Sequence, residues 1–182
     1  MSEGAVQKVY PGPIDIASSK SEALAFMDAH KGKYFIALMN MNLPDAPNGE
    51  AVEFVINSQV PTVVFTKTVE PDLVAHIEQI GAVDYLVKEK AASLDLLGKT
   101  VQRLDRNRKI VALVVDDVRE SRIQTRAWLE KQLYTVQEAE DGLQAVSHIW
   151  QSAAYDHAHR VIEVARLHFL DNVDTAKALR RG

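Results

Sequence analysis

Five short runs in the first two thirds of the chain are apolar almost throughout: residues 14–17, 34–39, 60–65, 82–87 and 111–115. A strand that is apolar on both faces belongs in a parallel sheet covered by helices above and below, so these runs predict parallel strands. Helical spacing fills the gaps. Ser19 with Glu22 forms a capping box that opens 21–30, with Ala23, Leu24, Phe26 and Met27 turned inward. A helix over 50–57 follows Gly49, and Pro71 occupies the first-turn position of a helix over 72–80. The longest helix spans 91–107 with Leu94, Leu97, Val101 and Leu104 at helical spacing, and 119–132 follows with Ile123, Ala127 and Trp128 on one face. Between Gly142 and Gly182 there is no other Gly and no Pro. Val146, Ile149, Trp150 and Ala153 recur at helical spacing there, as do Val161, Val164 and Ala165, and Asp171 or Asn172 caps a last helix ending near Arg181. The chain therefore reads as α/β followed by a mainly helical tail.

A weak repeat links the halves. Residues 14–27 match 136–149 in pattern at an offset of 122, with Ala17/Ala139 and Ala23/Ala145 identical. Composition narrows the function classes. With 182 residues, 47% hydrophobic and 25% charged, the chain is an ordinary globular one. The absence of cysteine removes disulfides, thiolate zinc sites and cysteine nucleophiles. A net charge of −4 argues against nucleic acid and membrane surfaces as partners. No apolar run approaches a membrane span, and the first residues lack a signal pattern, so the expected location is cytoplasmic. No Gly-rich phosphate loop, Ser-His-Asp pattern or paired catalytic carboxylates occur, so the chain is not expected to be an enzyme.

Four motifs stand at strand ends: Val114-Val-Asp-Asp117, Ala37-Leu-Met-Asn-Met-Asn-Leu-Pro-Asp45, Val63-Val-Phe-Thr66 and Gly81-Ala-Val-Asp-Tyr-Leu-Val-Lys88. Together they resemble the receiver domain of bacterial response regulators, most closely the tandem receivers ahead of diguanylate cyclase domains. The loop from Asn42 to Val52 and the linker from Arg103 to Arg108 share that likeness, which covers about residues 10–150. The resemblance implies a flavodoxin-like (CheY-like), doubly wound, five-stranded parallel sheet with its site at the C-terminal strand edge. Receivers take a phosphoryl group from a kinase histidine onto an aspartate, with Mg²⁺ neutralising the phosphoryl oxygens. By resemblance Asp116 and Asp117 are the metal carboxylates, Thr66 the hydroxyl and Lys88 the cation at the phosphate.

Three departures qualify this reading. The phosphoacceptor position is Asn40, and an amide is not the carboxylate nucleophile that takes phosphate. The proline expected after the lysine is Glu89. The expectation is a degenerate receiver, with Mg²⁺ held weakly if at all. The strand order also departs: the chain starts at the family's second strand, and the strand with the acidic pair comes only after the helix over 91–107. A circularly permuted receiver over 10–132, its central strand supplied by 111–117, fits, as does a domain-swapped dimer lending 110–132 to a partner. Residues 133–182 are then a helical extension or a decayed partial second receiver, for which 157–161 reads as a poor strand.

The remaining candidates have plainer readings. His148, His157, His159 and His168 lack the carboxylates of a metal site and read as surface or packing residues. Arg103, Arg106, Arg108 and Lys109 suit the C-terminal end of a helix dipole. Trp128, Leu129 and Leu133 are expected in the core, exposed members marking a partner surface instead. The function implied is a signalling module working by protein–protein interaction with a histidine kinase, a diguanylate cyclase, another signalling protein or a second copy in a homodimer. Its expected interface is the face of 72–80, 82–87 and 91–107, by resemblance. The alternatives are a working phosphoacceptor using a carboxylate such as Asp45, and a non-functional fragment of a tandem-receiver diguanylate cyclase.

Overall fold

The computed structural model describes residues 3–67, 71–88, 91–153 and 161–165. The chain divides into two compact units, Met1–Asp105 and Arg106–Gly182. Their boundary lies near the end of one helix, not near residue 132.

The first unit contains α1 (Glu3–Gln7), α2 (Lys20–Ala29), β1 (Ala37–Met39), α3 (Glu50–Asn57), β2 (Thr62–Thr66), α4 (Pro71–Gln79), β3 (Asp84–Val87) and most of α5 (Ala91–Asn107). Its sheet is parallel in the order β1-β2-β3, with Leu38 beside Val63 and Val64 beside Tyr85. Successive right-handed crossovers in one direction place α3 and α4 on the same face. Met41, Val52, Val64, Ile77 and Ala82 accordingly form one buried cluster. Every residue of β2 is buried, as the unbroken apolar run predicts. Leu97, Val101 and Leu104 of α5 are also fully buried.

The second unit contains β4 (Val111–Val115), α6 (Arg119–Lys131), β5 (Thr135–Ala139), α7 (Gly142–Ala153) and β6 (Val161–Ala165). Its parallel sheet runs β5-β4-β6, so the chain reverses direction at β4. That reversal puts α6 and α7 on opposite faces. Leu129 packs with Ala112 and Val114, whereas Ala145 packs with Leu113 and Ala139.

Four expectations need correction. Residues 14–17 form no strand: Pro11 and Pro13 withhold two ladder donors just upstream, and Ile16 is exposed. Residues 111–115 do not complete the first sheet. Both edges of β4 are occupied within the second unit, by β5 and β6, so the permuted arrangement is not the one the chain adopts. The described residues of 133–182 hold both of those strands besides α7, which favours the partial second receiver over the helical extension. Val161, Val164 and Ala165 have helical spacing, yet three of the five residues 161–165 are β-branched, which reads equally as a strand, and β4 offers it a partner. Finally, Trp128 is exposed, while Leu129 is buried. The proposed helix at 171–181 and His157, His159, His168 and Glu89 lie outside the described residues. The repeat does survive in the helices, since α2 begins at Lys20 and α7 at Gly142, 122 positions later.

Candidate functional site

Parallel strands expose their C-terminal ends along one sheet edge, and in the first unit these ends carry Asn40, Thr66 and Lys88 in succession. Asn40 follows β1, Thr66 closes β2, and the Lys88 backbone N–H donates to the Thr66 carbonyl at 2.6 Å. A cleft of about 180 Å³ opens beside them, lined by Ser19, Ala23, Met39, Asn40, Phe65 and Lys88 among others.

Two polar groups in this cleft have partners of their own. Asn40 donates from Nδ2 to the Asn42 carbonyl at 2.8 Å, an interaction a carboxylate cannot make. The Lys88 ammonium lies 4.9 Å from the Phe65 ring centroid. Burial, and then the nearby Lys67 charge, hold its pKa below the ordinary lysine value. Among the described residues no carboxylate pairs with Lys88.

Asp45 belongs to a different structure. Its Oδ1 accepts the Lys20 N–H at 2.7 Å and its Oδ2 the Ser21 N–H at 3.0 Å. These are orphan donors in the first turn of α2, and the bonds hold the Asp45 carboxyl below its usual range. Ser19 caps the same helix by accepting from the Glu22 N–H at 3.2 Å. Glu22 reaches back to the N–H and hydroxyl of Ser18 instead of to Ser19, a capping box displaced by one residue.

Asp116 and Asp117 follow β4, at the switch point of the second unit's sheet. Asp116 Oδ1 accepts the Val118 N–H at 2.8 Å, and Oδ2 accepts the Ser121 hydroxyl at 2.6 Å. Arg122 donates to the Asp116 carbonyl, while Asp117 is exposed. Mg²⁺ demands an octahedron of oxygens. Water ordinarily completes that shell around one or two carboxylates, which is the kind of group Asp116 and Asp117 offer, and no cluster of three acidic or imidazole side chains occurs among the described residues. The structure thus brings Asn40 and Lys88 into one cleft beside Thr66 and places Asp116 and Asp117 in the other unit.

Two side-chain clasps escaped sequence reasoning. Tyr34 donates its hydroxyl to Asp15, and His30 Nδ1 lies 3.1 Å from both the Asp15 carboxylate and the Tyr34 oxygen. Burial, then the Asp15 hydrogen bond and charge, push the Tyr34 pKa up to about 12. His76 Nε2 meets Glu53 Oε1 at 3.0 Å, tying α4 to α3. Sequence separations of 19 and 23 residues give no local signal for either contact. Arg103, besides lying near the end of α5, pairs with Asp84 of β3 at 2.9 Å. No described helix is long and apolar enough to cross a membrane.

No protein-family model matches the chain, and no curated protein does. Solved structures do. One, of a two-component system response regulator/GGDEF domain protein, is 31% identical with a TM-score of 0.82, covering 98% of this chain and 71% of that one. A second of the same description is 32% identical with a TM-score of 0.80, covering 98% and 70%. The two strand sets agree with this likeness: in a receiver order of 2-1-3-4-5, the second unit supplies 2-1-3 and the first supplies 3-4-5. The chain belongs to the family of two-component response regulators with GGDEF domains and has the receiver fold.

Proposed function

We propose that this chain is a receiver-like signalling module that takes no phosphoryl group at position 40, catalyses no reaction and acts by protein–protein contact. The observation that carries this reading is the cleft itself. It keeps the lysine at the β3 end but has an amide, bonded to its own loop, where phosphotransfer needs a carboxylate. The Asp45 alternative is disfavoured because both its oxygens are bound to the start of α2. Fitting partners are a histidine kinase, a diguanylate cyclase or another signalling protein of the cytoplasm, meeting the face of α4, β3 and α5.

The test is intact mass after incubation with Mg²⁺ and acetyl phosphate, with folding checked by circular dichroism. The expected result is an unchanged mass. A labile adduct of one phosphoryl group would make the chain a working phosphoacceptor and overturn the reading.

A further inference from the structure

Of the second unit's two described helices, α7 packs on one face of the sheet and α6 on the other. Its inner side is accounted for: Leu129 is buried against Ala112 and Val114, and Arg122 and Arg126 reach Glu138 of β5. Its outer side carries Ile123 at 48% and Trp128 at 63% exposure. An isolated exposed apolar residue is ordinary, but these two belong to a continuous stripe. Positions 120, 123, 124, 127, 128 and 131 alternate steps of three and one, so they line one side of a helix. They read Glu120, Ile123, Gln124, Ala127, Trp128 and Lys131.

The stripe complements itself when reversed. If a second α6 lies antiparallel about a two-fold axis, Glu120 faces Lys131 of the other copy, Ile123 faces Trp128, and Gln124 faces Ala127. Neither Glu120 nor Lys131 pairs with another charge among the described residues. Ala127 is small enough at the centre to let the axes approach, and antiparallel packing opposes the helix dipoles. A partner of different sequence would have no need of this symmetry, whereas an isologous dimer requires it. We infer that α6 is a self-association surface whose occupant is the α6 of a second copy. The exposed Leu143 and Trp150 of α7 carry no such inference, because nothing on that helix says what covers them.

This inference is independent of whether position 40 accepts phosphate. A single helix pair buries less than a standard interface, so the dimer is weak, with a Kd on the order of micromolar to tens of micromolar. Sedimentation velocity of the full chain from about 1 to about 300 µM checks it. The expected result is a reversible monomer–dimer equilibrium. Trp128→Ala and Glu120→Lys, both exposed positions, each weaken it about tenfold or more, with circular dichroism unchanged. Adding Lys131→Glu to Glu120→Lys restores the dimer, because the swapped charges face each other again. Leu96→Ala, on the α4–β3–α5 face, leaves it unchanged. A monomer throughout the range overturns the inference. So does a dimer indifferent to Trp128→Ala, a charge swap without rescue, or a dimer lost on Leu96→Ala.

Discussion

A carboxamide in place of a carboxylate changes one atom and one charge, and at position 40 both matter. The charge would have faced the Lys88 side of the cleft, and the amide N–H₂ instead closes the loop onto Asn42. This residue was legible because it follows an apolar run whose end is a fixed place in a parallel sheet. Thr66 and Lys88 were legible for the same reason. The Asp15–Tyr34–His30 clasp was not, because its members are joined only by the folded path of the chain. Gly49 shows how one backbone angle serves the loop that carries Asn40. It stands at φ +87°, the left-handed region, where it starts α3, and an added Cβ would come within 2.6 Å of Met41 Cε. Gly49→Ala therefore incurs left-handed strain and displaces a core methionine. The expected loss is about 1–2 kcal/mol in urea-unfolding stability, and an unchanged midpoint would show that the loop relaxes.

At the scale of elements, helices were easier to read than strands. α5 has the bounds its Leu94–Leu97–Val101–Leu104 spacing predicts, and α3 those read after Gly49. Strand pairing depends on partners elsewhere in the chain, which is why β4 was assigned to the wrong sheet and β6 was read as helix. The apolar character of β4 specified a central position without specifying its neighbours. Asn107, among the basic residues that end α5, carries no local signal of its role. It is 2% exposed at the end of α5, and its Nδ2 donates to the Gln132 carbonyl at the end of α6, 2.9 Å away. Two helix ends are thereby joined through one buried amide. Asn107→Ala leaves that carbonyl without its donor and opens a small void, so stability should fall by about 1–3 kcal/mol. Chemical unfolding of the variant checks this, and a cost near zero would mean that water replaces the amide.

Across the molecule, two partial receivers share one chain, and the forces that hold them respond differently to pH. In the first unit the carboxyls of Glu22, Asp45 and Glu50 have clearly lowered pKa values. The main cause for Glu22 is the Ser18 N–H, for Asp45 the Lys20 N–H, and for Glu50 its own N–H at the start of α3. A carboxylate with a lowered folded pKa stabilises the fold above its unfolded value, and that contribution is lost as pH falls through the folded value. The unfolded values are 4.5 for the two glutamates and 3.8 for the aspartate, so the loss begins in that range and completes below it. The alkaline limb has the opposite sign. Tyr34 favours its neutral form up to about 12, so its contribution is present below 10 and disappears as pH rises through 12. In the second unit, Arg126 is raised first by Glu138 and then by Glu130, and is cationic throughout the acid range. Acid should therefore loosen the starts of α2 and α3 as Glu22, Asp45 and Glu50 take up protons. Incubation at stepped pH from about 6 to about 3, followed by a deuterium pulse at one common pH, follows this peptide by peptide. Peptides from 18–30 and 48–57 should lose protection as the pH falls below 4.5. Full protection of both down to about pH 3 would show that these capped carboxylates do not set the acid limit of the first unit.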